Sequence, residues 1–282
     1  MKRAATIFAM LSVAACSFAQ GNTKPASQTA PPAGQTAAPA TAAAPQGKRQ
    51  PQAKTQPEFD AYKAAVALTD AAAMEKAADD FAAKFPDSEL RAVLYKSAMH
   101  AYQQANSADK MLDMARKVLT YDADDPEALL GVAQVLAERT RDTDLDKDQR
   151  LAEAKKDANR SLETMDTDIP TVGLPQDRVD AYKGFLRSDA YSILGTLDFN
   201  NKAWAEAEGN LRKSIDAYPQ QIDPIAVFRL SVSLDMQNKY PEALKYANQA
   251  VDLTKEGTGA GDAARKEKDR LTQLTGGAPA KN

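Results

Sequence analysis

The sequence predicts an all-α protein built from helical hairpins, and three observations carry that expectation. The first is composition: the chain is alanine-rich, with 6% aromatic residues and a low density of β-branched ones, which favours helix over strand. The second is the recurrence of apolar residues at three- and four-residue spacing from Pro57 onward. The third is the stretch 188–219, SDAYSILGTLDFNNKAWAEAEGNLRKSIDAYP. Tyr191, Leu194 and Gly195 fall on one face of a first helix, and Ala207, Leu211, Ser214 and Ile215 on one face of a second. Trp204 opens the second helix and Pro219 closes the unit. A helix–turn–helix of about 34 residues cannot bury its own apolar faces and needs similar neighbours on both sides.

The N-terminus is expected to lie outside the fold. Met1-Lys2-Arg3 followed by the mostly apolar run Ala4–Ala15 reads as a secretory signal, too short to span a bilayer as a stable helix. Two processing readings stand side by side. Ser17-Phe18-Ala19 has the small-x-small pattern of ordinary cleavage, giving a signal over 1–19. Val13-Ala14-Ala15-Cys16 looks like a bacterial lipobox, which would leave Cys16 lipidated at the mature N-terminus. Cys16 is the only cysteine, so no intramolecular disulfide can form. Residues 20–56 are Ala, Pro, Gln, Thr and Gly with almost no large apolar side chains, and read as a disordered linker.

The repeat domain is expected over 57–275, with a short disordered tail at 276–282. A first unit carries Phe59, Tyr62, Ala65 and Val66 in a short helix, then Met74, Ala78 and Phe81 in a second that Thr69 or Asp70 can cap. A second unit over 92–125 places Tyr95, Ala98, Met99 and Tyr102 against Met111, Ala115, Val118 and Leu119. Pro126 opens a third, as proline in a first helical turn often does. Its apolar stripes are Leu129, Val132, Ala133 and Leu136, then Ala154, Ala158, Ser161 and Leu162, with about nine extra residues between the two helices. A long helix from Gln176 to Asp198 feeds the unit at 188–219, adding Val179, Tyr182, Phe185 and Leu186 to its stripe. The fifth unit, from Pro224, sets Val227, Leu230, Ser231 and Leu234 against Ala243, Ala247, Ala250 and Val251, with Tyr240 at the turn. The polar helix near 261–274 is what a stacked array needs to close its apolar end.

These starts, near 55, 92, 126, 188 and 224, and the residues Tyr191, Leu194, Gly195, Trp204, Ala207 and Pro219 resemble the tetratricopeptide repeat. The resemblance implies a right-handed superhelix of about five hairpins with a C-terminal capping helix. It also implies a concave face, lined by the first helix of each repeat, on which an extended peptide or a partner helix lies. Carried over by repeat alignment, that face comprises Lys96, His100, Gln103, Gln134, Glu138, Ser192, Thr196, Asn200, Phe228 and Asp235. The set does not reproduce the Lys/Asn clamp with which chaperone-binding relatives hold a terminal carboxylate.

The remaining chemistry is thin. The formal net charge of -3 argues against a nucleic-acid binder, which should show a strongly basic face. The lone His100 has no nucleophile arrangement around it and reads as lining the groove or exposed, so no catalytic residue and no cofactor is expected. Asp142, Asp144, Asp146, Asp148 and Glu153 have the spacing of an EF-hand calcium loop, but Lys147 stands where that loop needs glycine. The alternative is an acidic, solvated insertion that caps the following helix. The sequence thus predicts a non-enzymatic, exported adaptor of the bacterial cell envelope that binds a segment of another protein. A lipid-anchored outer-membrane assembly factor and a calcium-binding structural protein are the alternatives.

Overall fold

A computed structural model describes residues 48–276. The signal segment, Cys16, the linker up to residue 47 and the tail from residue 277 lie outside the described residues. Eleven α-helices make up the described part: α1 (Gln56–Val66), α2 (Ala71–Lys84), α3 (Leu90–Gln104), α4 (Ala108–Tyr121), α5 (Pro126–Arg139), α6 (Lys147–Thr164), α7 (Gln176–Asn200), α8 (Trp204–Ala217), α9 (Pro224–Asp235), α10 (Tyr240–Leu253) and α11 (Gly259–Leu274). Each packs against the next in the chain, and α5, α7 and α9 also touch in succession. The protein is all-α, and no described helix is long and apolar enough to cross a membrane.

Several helix starts are set by short side chains that satisfy otherwise orphaned first N–H groups. Asp70 accepts from Ala73 N at 2.9 Å, and Asp125 from Ala128 N at 2.9 Å with Pro126 in the first turn. Asp223 accepts from Ile225 N at 3.1 Å ahead of Pro224. The turns inside hairpins share one geometry at three places. Asn106, Lys202 and Asn238 take φ of 55°, 58° and 61°. The residue after each donates its N–H back five positions: Ser107 to Tyr102, Ala203 to Asp198 and Lys239 to Leu234, at 2.9 to 3.0 Å. This is the left-handed cap that ends a helix and sends the chain straight into the next.

Small residues let the helices close up. A Cβ on Gly195 would lie 2.7 Å from Leu211 Cγ, and one on Gly184 would lie 2.8 Å from the Ala217 carbonyl oxygen. Ala207, Ala243, Ala247 and Ala250 are fully buried. Buried serines add bonds between helices of a pair: Ser161 to the Pro126 carbonyl at 3.0 Å, Ser214 to Ser188 at 2.8 Å and Ser231 to Ala243 at 2.8 Å. A large core cluster runs from Ala65 to Leu197, and a smaller one joins Leu211, Leu230, Leu244 and Leu271. Leu271 and Ala264, both fully buried, give the otherwise polar α11 the stripe that docks it.

Two expectations need correction. Val66, assigned to the core, is 40% exposed, because the first pair has no earlier pair to cover it. Ala65 of α1 is buried as expected, and the other buried residue of that helix is Glu58, which accepts from Lys54 N at 2.7 Å and from the Ser88 hydroxyl. Residues 48–55, assigned to the linker by composition, are held along the loops between pairs. The Lys48 carbonyl accepts from Thr171 N at 3.2 Å, and its ammonium lies 2.7 Å from Asp122 and 3.8 Å from Asp168. Gln50 donates to the Pro170 carbonyl at 2.9 Å, Arg49 pairs with Glu89, and Lys54 donates to the Asp87 carbonyl at 2.7 Å. Hydrogen bonds and ion pairs order this polar strap without an apolar stripe that composition would reveal.

Candidate functional site

The first helices of the second, third and fourth hairpins, with the start of α9, enclose a groove of about 490 Å³. Its residues come from single helix faces: His100 and Gln103 on α3, Gln134 and Glu138 on α5, Ser192 and Thr196 on α7. Residues three or four apart on a helix share a face, so each pair turns the same way as its neighbours. These six of the ten residues assigned to a concave face therefore line one cavity. Between them lie the apolar side chains of Leu130, Phe185 and Ile193, and the α9 end adds Asp223, Ile225 and Arg229.

The other four are placed elsewhere. Lys96, one turn before His100, is half-buried in an ion pair with Asp125 and lies 3.2 Å from Glu127. Asn200 is exposed at the end of α7, outside the groove lining. Phe228 is half-buried against Val227, Ala250 and Ala264. Asp235 is 8% exposed and paired with Arg270 of α11. The reason is common to the last two: α11 packs on α9 and α10 and engages the face that alignment treats as open.

Part of the groove wall, through His100, Glu127 and Tyr182, belongs to a charged cluster that the sequence pattern did not reveal. Asp125 caps α5, Glu127 lies in its first turn, and Tyr182 of α7 hydrogen-bonds Glu127. His100 Nε2 is 3.7 Å from Glu127 Oε1. Burial alone would pull the Lys96 ammonium down, but the Asp125 and Glu127 carboxylates outweigh it and hold its pKa above the ordinary value. Burial pushes Glu127 up, yet Lys96, His100 and the Tyr182 hydroxyl leave it below the usual carboxylate range. Burial lowers the His100 pKa, with Lys96 adding to it and the Glu127 and Asp125 carboxylates opposing it. Burial and Glu127 raise Tyr182 well above its ordinary value. The signal available in the sequence was the Asp-Pro pair at 125–126, repeated at 223–224, which fixes both helix starts.

At the α9 end, Arg229 Nη1 donates to Thr196 Oγ1 at 2.7 Å, and Thr196 donates to the Ser192 carbonyl at 2.7 Å. Burial lowers the guanidinium pKa, with Asp223 and Glu138 pulling the other way. Arg229 stands one residue from Phe228, the position that alignment selected. A shift of one residue on a helix turns a side chain through about 100°.

The acidic insertion does not gather its carboxylates. Lys147 takes Asp142 at 2.6 Å, Arg150 takes Asp146 at 2.9 Å and lies 3.7 Å from Asp144, and Arg116 takes Glu153 at 3.1 Å. Asp148 is exposed in the first turn of α6. That helix already begins at Lys147, so Glu153 lies well inside it and cannot fold back onto Asp142 as a calcium loop requires. Among the described residues no group of three or more His, Cys, Asp or Glu side chains is placed to hold a metal ion. No family model and no curated protein matches the chain.

Proposed function

We propose that the chain is a non-enzymatic scaffold of tetratricopeptide-like hairpins, wound as a right-handed superhelix, whose groove between first helices binds a segment of another protein. The observation that carries this reading is the convergence of His100, Gln103, Gln134, Glu138, Ser192 and Thr196, from three helices, on one cavity. A preformed groove of mixed apolar and polar lining suits an extended or helical segment, because little ordering is needed before contact. The N-terminal run ending near Ala19 supports export, with residence in the periplasm or, through Cys16, at the outer membrane. Labelling with a fatty acid distinguishes the two placements, since Cys16→Ala removes the label only from a lipoprotein.

The test of the groove is crosslinking in intact cells. A photoreactive phenylalanine analogue placed at Gln103, Gln134 or Ser192 should give adducts with one partner. The same group at Lys156 or Lys213, exposed on second helices, should not. Adducts from the outward positions alone would sink the reading.

A further inference from the structure

Residues 48–55 run along one edge of the molecule, where the connections between hairpins gather, and they meet those connections in turn. Lys54 donates to the Asp87 carbonyl at 2.7 Å and Arg49 pairs with Glu89, both in the connection that leads into α3. Lys48 reaches Asp122 at 2.7 Å, in the connection that leads into α5. The Lys48 carbonyl accepts from Thr171 N at 3.2 Å, and Gln50 donates to the Pro170 carbonyl at 2.9 Å, in the connection that leads into α7. One short segment therefore holds the entry to each of the three helices whose faces form most of the groove.

The segment has little slack. At one end it is continuous with α1 through the N-cap Thr55, and at the other the Lys48 carbonyl fixes it to the entry of α7. The chain from residue 48 to residue 55 spans at most about 25 Å when fully extended. From α1 to α7 there are three steps between successive first helices, each at least about 8 Å at helix-packing distance. The strap is thus drawn out close to its full reach. Packing joins the groove helices unevenly. α5 meets α7 directly, whereas α3 makes its extensive helix contacts with α1, α2 and α4. It reaches α5 through α4 and through the Lys96 pairs with Asp125 and Glu127.

We propose that residues 48–55 are a brace that limits how far α3 swings from α7, and so sets the width of the groove. The ion pairs of Lys48 and Arg49 are partly exposed, which makes the brace responsive to ionic strength. The backbone bond of Lys48 and the amide bond of Gln50 are not screened and keep the strap in place when the pairs weaken.

Double electron–electron resonance on the full chain tests the brace. Nitroxides go on cysteines introduced at Gln104 and Asn200, exposed at the ends of α3 and α7, in a Cys16→Ser background. In Lys48→Glu with Arg49→Glu, each new carboxylate faces Asp122, Asp168 or Glu89. The distance distribution should then shift to longer values and widen. At about 1 M salt the parent should shift outward slightly while the reversed variant moves back, so that the two converge. Arg49→Glu alone should widen the distribution less, and adding Glu89→Arg, which rebuilds the pair in reverse, should restore it. Lys147→Glu with Arg150→Glu makes the same charge change within the insertion, against Asp142 and Asp146, and should leave the distance unchanged. The proposal is overturned if the strap reversal gives the parent distribution at low salt, or if the insertion variant widens it as much. Breadth that persists with Glu89→Arg in place overturns it too. The readout is a distance within the chain, so the brace stands or falls separately from the docking of a partner segment.

Discussion

Lys202 shows how a single backbone conformation repeats without a repeated residue. Asn106 and Asn238 occupy the same left-handed position in their hairpins, where a short polar side chain is tolerated. A lysine there carries the full steric cost between its Cβ and the following carbonyl. Lys202→Gly is therefore expected to raise stability by about 0.5–1 kcal/mol, read as a shift of the urea midpoint with unchanged slope. A loss would mean that the Lys202 side chain makes a stabilising contact. Gly195 predicts the opposite response to a methyl group. With Leu211 Cγ 2.7 Å from the position of its Cβ, Gly195→Ala should cost about 1–3 kcal/mol. The smaller end of that range applies if α8 can slide. His100 gives a pH signature. Its imidazole resists protonation in the fold, whereas the unfolded chain takes up the proton near the ordinary value of about 6.5. The unfolded state then binds more protons, so stability falls as pH drops from about 6.5 toward the lowered folded value. Lys96, Asp125, Glu127 and Tyr182 are retained in His100→Gln, so a flattened melting-temperature profile in that window isolates the imidazole. An unchanged slope in the variant would assign the effect to other groups.

At the scale of elements, most helices were legible and the connections were not. The stripes Tyr95–Ala98–Met99–Tyr102 and Leu129–Val132–Ala133–Leu136 are buried as a period near 3.6 predicts, and in α5 burial extends beyond the stripe to Ala128, Leu130, Val135 and Ala137, since helices pack on more than one side of it. The strap at 48–55 and the cluster of Lys96, Asp125, Glu127 and Tyr182 were invisible for one physical reason. Both are held by polar contacts between segments distant in the chain, which leave no periodicity. The cavity was half legible: six of the ten aligned residues, on α3, α5 and α7, line it, whereas Lys96, Asn200, Phe228 and Asp235 lie elsewhere, Asp235 because α11 engages that face of α9. The strap carries its own prediction. Lys48→Ala with Arg49→Ala should lower stability by about 1 kcal/mol at low salt, since partly exposed ion pairs contribute little each. That difference should vanish near about 1 M salt, where screening acts within a few ångströms. A salt-independent loss would locate the strap's contribution in its backbone bonds, such as Lys48 to Thr171.

For the whole molecule, the ordering of contacts matters more than their number. Helices touch their neighbours in sequence and, in places, the next helix but one, and the core divides into a large cluster up to Leu197 and two smaller ones, around Leu230, Leu244 and Leu271 and around Val227, Ala250 and Ala264. In an array of this kind stability is a sum of local units and interfaces, so damage at one end need not reach the other. Leu271 is fully buried and comes from the last helix, which makes it a clean place to cut. Leu271→Ala should cost about 2–4 kcal/mol locally. Amide hydrogen exchange should then speed in α10 and α11 while α3 and α4 keep their protection. The uneven response follows from the geometry, because the extensive contacts of α11 are with α9 and α10, far along the chain of packed helices from α3 and α4. Uniform loss of protection from α2 to α11 would show instead that the described residues unfold as one cooperative unit. The groove would then report changes made at the capping helix.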